Sequence, residues 1–190
     1  MNSPKILVAA LTCLFLLFGS VSAAIVINEF EENPGGSQSD SGREWVELYN
    51  MGPGDVYISG WKLIESYNMK EVMIPSDVTI LSGGYHTITW TNGSLINTKP
   101  LNITLYDDTG FEIDKTRTIS DSPNDDRCWA RIPNGYDTDN DDDWDFVNET
   151  KGKNNDGTTD PIPEFPTFIL PVLLMFASLS LARKHMPPGL

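Results

Sequence analysis

The chain has 190 residues, 27 acidic against 13 basic, with a net charge of −14 and a sequence pI near 4.3. One ordinary domain fits that length. All the acids and ten of the basic residues lie between Glu29 and Glu164, a net of −17 for that stretch, so it repels phosphates and anionic lipids, and nucleic-acid binding is not expected.

Residues 1–24 open with Lys5, continue as an apolar run from Ile6 to Phe18, and relax into Gly19-Ser20-Val21-Ser22-Ala23-Ala24. A short basic head, an apolar helix too short to span a membrane and a small-residue exit predict a secretory signal cleaved near Ala23 or Ala24. Cys13 lies inside the apolar run, not after a small-residue exit, which argues against a lipoprotein. Once the signal is removed Cys128 is the remaining cysteine, so the exported part needs a true hydrophobic core in place of an internal disulfide.

From Ala24 onward the pattern is that of strands. Ala24 to Phe30 is β-branched and apolar, and Glu44-Trp45-Val46-Glu47-Leu48-Tyr49-Asn50 alternates with period two, a pattern that tolerates one solvated face. Further short runs follow at Val56–Ile58, Trp61–Ile64, Glu71–Ile74, Val78–Ile80, Tyr85–Trp90, Leu101–Tyr106, Phe111–Asp114 and Arg127–Arg131. Turn formers such as Gly52-Pro53-Gly54-Asp55, Ser82-Gly83-Gly84, Asp107-Asp108-Thr109-Gly110 and Pro133-Asn134-Gly135 separate them. Many short strands at roughly ten-residue spacing predict an all-β sandwich. Residues 31–43 read as a flexible loop, and residues 151–163, rich in Gly, Asn, Asp, Thr and Pro, as a spacer.

The chain closes on Pro163-Glu164-Phe165, an uncharged stretch from Thr167 to Ala182, and Arg183-Lys184-His185. That stretch lies at the lower limit for a spanning helix and Pro171 weakens it, while the basic cluster behind it favours the cytoplasmic side. Residues 25–162 are therefore expected outside the cell.

Asn28-Glu29, the block from Glu44 to Asn50, and Ser59-Gly60-Trp61-Lys62-Leu63 resemble the lamin-tail domain family. Leu81-Ser82-Gly83-Gly84-Tyr85, Leu105 to Gly110, Arg131 to Gly135 and Asp137 to Asn140 agree. Thr150-Lys151-Gly152-Lys153-Asn154 is similar to the family's Thr-Pro-Gly-x-x-Asn ending with the proline replaced. The resemblance covers about residues 24–155 and implies an immunoglobulin-like sandwich. Pro163, Glu164 and Phe165 with the following stretch and basic end resemble PEF-type sorting signals of archaea. That resemblance implies an archaeosortase-like processing enzyme as partner, and a permanent membrane anchor is the alternative. The expected layout is 1–24 signal, 25–155 sandwich, 156–162 linker and 163–190 sorting signal with its hydrophobic helix.

Candidate chemistry is sparse. His86 sits on an expected strand, Cys128 beside Trp129 reads as a buried thiol, and Glu44 and Glu47 point to opposite sides of one strand, so paired-carboxylate catalysis is not expected. Asp137, Asp139, Asp141, Asp143 and Asp145 place oxygen donors at alternate positions, as a calcium loop requires. The sixth and twelfth positions, Asp142 and Asn148, depart from the helix-loop-helix calcium motif, and a solvated acidic loop is the other reading. No other cofactor is expected. Asn92, Asn102 and Asn148 begin Asn-x-Ser/Thr sequons. Trp45, Trp61, Trp90 and Trp129 read as core, and Trp144, between aspartates, as the tryptophan free to touch a ligand. The expected function is a non-catalytic surface module for adhesion or binding of surface proteins or glycans. An accessory carbohydrate- or calcium-binding module of a secreted hydrolase system is the alternative.

Overall fold

The computed structural model describes residues 25–118 and 120–157. The signal with Ala23 and Ala24, the sorting motif Pro163–Phe165 and the C-terminal apolar stretch lie outside the described residues. Among the described residues no helix is long and apolar enough to cross a membrane.

The described part is all-β. Its strands are β1 (Ile25–Glu31), β2 (Trp45–Asn50), β3 (Val56–Tyr57), β4 (Lys62–Glu65), β5 (Glu71–Met73), β6 (Thr79–Ile80), β7 (Tyr85–Thr89), β8 (Ile103–Tyr106), β9 (Glu112–Lys115), β10 (Arg127–Arg131) and β11 (Trp144–Asn148). One 3-10 turn, Asp141–Asp143, leads into β11. The strands form a five-stranded sheet in the order β11-β10-β1-β2-β7, a four-stranded sheet β5-β4-β8-β9 and a small β3-β6 ribbon. Every strand pair is antiparallel.

The core is built from one face of each larger sheet. Ile25, Ile27, Phe30, Val46, Leu48 and Ile88 come from the first, and Leu63, Val72, Ile103 and Leu105 from the second. Each such side chain contributes about 1.5–3 kcal/mol by leaving water. Strict alternation along β1 would put Glu29 in this core after Ile25 and Ile27. A bulge prevents that: Ile27 faces Leu48 and Glu29 faces Glu47, so Asn28 is the extra residue and Phe30 takes the next core position.

Three expectations about local structure are corrected. The solvated face foreseen for β2 does not exist, because all of β1 and β2 is buried. The cover comes from Thr150 and from the start of the stretch foreseen as spacer. Thr150 N and Oγ1 donate to Glu29 at 2.5 and 3.0 Å, Gly152 N donates to Glu47 Oε2 at 2.7 Å, and the Lys151 ammonium lies 4.2 Å from the Trp45 ring centre. Residues 31–43, foreseen as flexible, are tied down: the Arg43 guanidinium donates to the Gly35 carbonyl, and Pro34 pairs with Asp125.

Candidate functional site

The bulge that saves the core also leaves β1 short of partners near Ile27, and Arg131 fills the gap. Its Nε donates to the Ile27 carbonyl at 2.8 Å, while the Ile27 amide donates to Asp114 Oδ2 at 2.6 Å. The rest of the fork reaches Asp114 Oδ1 at 3.0 Å, Asp137 Oδ1 at 2.7 Å, Asp143 Oδ2 at 3.5 Å and the Tyr136 carbonyl at 3.1 Å. Arg131 is 1% exposed and lies over the Trp144 ring at 4.6 Å. A planar fork of five donors in fixed directions can hold several carboxylates and a carbonyl at once, where an ammonium has three donors and no fixed fork.

These groups floor an open, polar cleft of about 550 Å³ between β9 and the loop that joins β10 to β11. Lys115, Arg117, Asp137, Asp139 and Asp141 line its walls. Arg117 reaches across to Asp141 at 3.5 Å, and its guanidinium lies 5.0 Å from the Trp129 ring centre. Burial would raise the Asp143 pKa, but donors from the Thr138 amide and hydroxyl and the Asn140 amide, with Arg131, hold it below its ordinary value. Burial dominates at Asp114 and lifts it to about 6 in spite of Arg131.

The calcium reading of Asp137, Asp139, Asp141, Asp143 and Asp145 is corrected by this geometry. Asp137 and Asp143 turn inward to Arg131, Asp141 turns to Arg117, and Asp145 is exposed on β11. Among the described residues no three such side chains meet where they could hold a metal ion. The counter-charge foreseen as a metal is a guanidinium, supplied from β10. Trp144 is likewise corrected. It opens β11 at 4% exposure with its ring edge-on to Phe30 at 5.4 Å, so it is a core residue and not a ligand platform.

Other sequence candidates find their places. Cys128 is fully buried and donates to Glu29 Oε1 at 2.9 Å; burial and that neighbouring carboxyl push its thiol far up, so it stays an inert thiol. His86 sits on β7 opposite Leu48, its pKa lowered by burial. Trp45, Trp61 and Trp90 are buried, as the strand pattern implied. Of the sequon residues, Asn92 and Asn148 are exposed and Asn102 is half-buried. Thr104 of the Asn102 sequon is buried in β8, and the Thr150 hydroxyl of the Asn148 sequon is bound to Glu29 and Asn155.

A second polar cluster was missed from sequence. Asn28, turned aside by the bulge, donates to Asn134 Oδ1 at 2.8 Å and Asn155 Oδ1 at 3.2 Å, and accepts from the Gly135 amide at 2.8 Å. Gly135 has φ +69°, and a Cβ there would stand 2.8 Å from the Tyr49 ring, so only glycine fits. Asn155 in turn donates to the carbonyls of Asn28 and Arg131. The terminal Thr-x-Gly-x-x-Asn pattern was the available signal: Thr150, Gly152 and Asn155 each pin the closing segment to a polar residue of β1 or β2.

No curated protein matches the chain. The family model of the lamin tail domain matches residues 19–120, which takes in the β9 side of the cleft with Asp114, Lys115 and Arg117 and ends before Arg131 and the closing segment. That family consists of immunoglobulin-like modules generally engaged in protein interaction. With more than half of its 190 residues matched and its described part folded as antiparallel sheets, the chain belongs to the lamin tail domain family.

Proposed function

We propose that this chain is a non-catalytic protein-binding module displayed on the cell surface, with adhesion or envelope organisation as its task. The observation that carries the reading is the chemistry of the cleft. Its cations and inward-facing acids are committed to one another, with Arg131 held by Asp114, Asp137 and Asp143, while its outer wall presents exposed Asp139 and Asp141. A general base or nucleophile needs a free, correctly placed side chain, and the groups on the cleft floor are tied into ion pairs. An open, rigidly built concavity with a charged wall suits recognition of another macromolecule.

Export rests on the two termini. The run from Ile6 to Phe18 with its small-residue exit directs the chain outward, and cleavage falls near Ala23 or Ala24. Pro163-Glu164-Phe165, the apolar stretch and Arg183-Lys184 direct C-terminal sorting by a membrane transpeptidase-like enzyme. The acidic middle then faces a cation-rich exterior that screens its self-repulsion. With Trp144 in the core, the carbohydrate alternative loses its aromatic platform.

The intact mass of the protein recovered from its host tests the topology. The expected species begins near Ala24 or Ile25 and ends near Pro163–Phe165, plus the mass of any attached group. A species carrying both apolar termini refutes the processing scheme.

A further inference from the structure

Six orphaned carboxylate oxygens gather where the connection between β1 and β2 begins and ends. Glu31 Oε2, Glu32 Oε1, both oxygens of Glu44 and both of Asp121 are buried without a hydrogen-bond partner. The four residues are 0–1% exposed. Elsewhere a buried acid such as Glu65 meets the amides of Tyr67, Asn68 and Lys70. Here the Glu31 and Asp121 carboxyls lie within hydrogen-bond reach of each other. An ionised pair at that separation and depth repels strongly, whereas one proton between them makes a donor and an acceptor.

The pair sits on a seam between two segments. Asp121 N donates to Glu32 Oε2 at 3.1 Å, Asn33 Nδ2 donates to the carbonyls of Ser122 and Pro123 at 3.2 and 2.7 Å, and Pro34 bridges to Asp125. A Cβ on Gly35 would come within 2.8 Å of Asp126 Oδ1, so the segments touch closely. Facing Glu31 are Glu29, Cys128 and Glu149; facing Glu32 are Glu44 and, beyond it, Asp40 and Lys70; facing Asp121 are Asp125 and Arg127. Arg127 is committed to Asp125 at 2.8 Å, and Lys70 Nζ donates to the Ser94 carbonyl at 3.2 Å. The surroundings are therefore overwhelmingly anionic and leave the pair to a proton.

We propose that Glu31 and Asp121 form a latch closed by one shared proton, which fastens residues 121–126 to the end of β1 and lets them go as pH rises. Opening releases that proton to water and leaves two carboxylates. Burial first, then the neighbouring acids, raises both groups above their ordinary range. The contribution is thus complete below the unfolded carboxylate range and is lost as pH climbs through the raised folded values.

Amide hydrogen exchange of residues 121–126 in the full chain, corrected for the intrinsic rate and scanned from about pH 5 to about pH 10, tests the latch. Protection should fall at least about tenfold over the scan in the wild type. It should stay flat in Glu31→Gln, whose amide donates permanently to Asp121, and likewise in Asp121→Asn if the first variant fails to fold. Wild-type protection that ignores pH, or variants that open in parallel with wild type, overturns the latch. Recovery of alkaline protection on adding calcium also overturns it, in favour of a metal bridge.

Discussion

Around Ile27 and around Glu31, the same strand buries acids in two different ways. Near Ile27, Asp114, Asp137 and Asp143 converge on Arg131, and backbone amides supply most of what the guanidinium does not. Near Glu31, Glu32, Glu44 and Asp121 are deeply buried, yet the neighbouring cations, Arg127 and Lys70, are committed to Asp125 and to the Ser94 carbonyl. The first arrangement is an ion-paired scaffold whose stability depends on one side chain. The second depends on protons. A strongly acidic domain can therefore keep a dense interior by two routes, and the routes respond differently to mutation and to pH.

Removing the shared cation should have the largest effect. Arg131→Met leaves Asp114 and Asp143 buried without their counter-charge, a change that costs about 3–5 kcal/mol and is read by chemical denaturation. An unchanged midpoint would show that the scaffold does not depend on Arg131. Next comes the closing segment. Asn155→Ala strips donors from the Asn28 and Arg131 carbonyls and should destabilise by about 1–3 kcal/mol, with faster exchange at the Thr150 and Gly152 amides.

A smaller effect separates the two regions by pH. Burial raises Glu44 to about 8 and Glu47 to about 7. Acids raised on folding stabilise most below their unfolded pKa and progressively less as pH passes their folded values. Thermal melts should therefore decline from mildly acidic pH toward about 9, with the steepest loss between about 7 and 8. Glu44→Gln should flatten the alkaline limb, while an alkaline limb as steep as wild type would assign the loss to other groups. The smallest effect is expected at the exposed aspartates of the run, Asp139 on the cleft wall and Asp145 on β11. Asp139→Asn and Asp145→Asn should each move stability by no more than about 0.5 kcal/mol, and calcium should leave their melting temperatures and the wild type's alike. A clear calcium-dependent rise would restore the metal reading of this loop.

The strands were legible because their apolar residues keep period two, as Val46 and Leu48 do. The exceptions have physical causes. Glu47 read as part of a solvated face because alternation registers polarity, whereas its burial depends on a closing segment about a hundred residues away. β11 was hidden by the aspartates flanking Trp144, whose ring turns inward to Phe30 while Asp145 turns outward. The aspartate run read as a cation site, and a cation is there, but it arrives from β10 through a tertiary contact that local spacing does not encode. The family blocks were visible in Glu44 to Leu63, whereas the function of the Thr150–Asn155 pattern emerged only with its partners on β1 and β2.

Exposure of this domain outside the cell, against protein partners, is tested most directly by a membrane-impermeant lysine cross-linker applied to intact host cells. Lys99, Lys115, Lys151 and Lys153 are exposed, and they should react without lysis and yield links to envelope proteins. Reaction confined to lysed cells, or labelled lysines with no protein linked to them, would contradict the account.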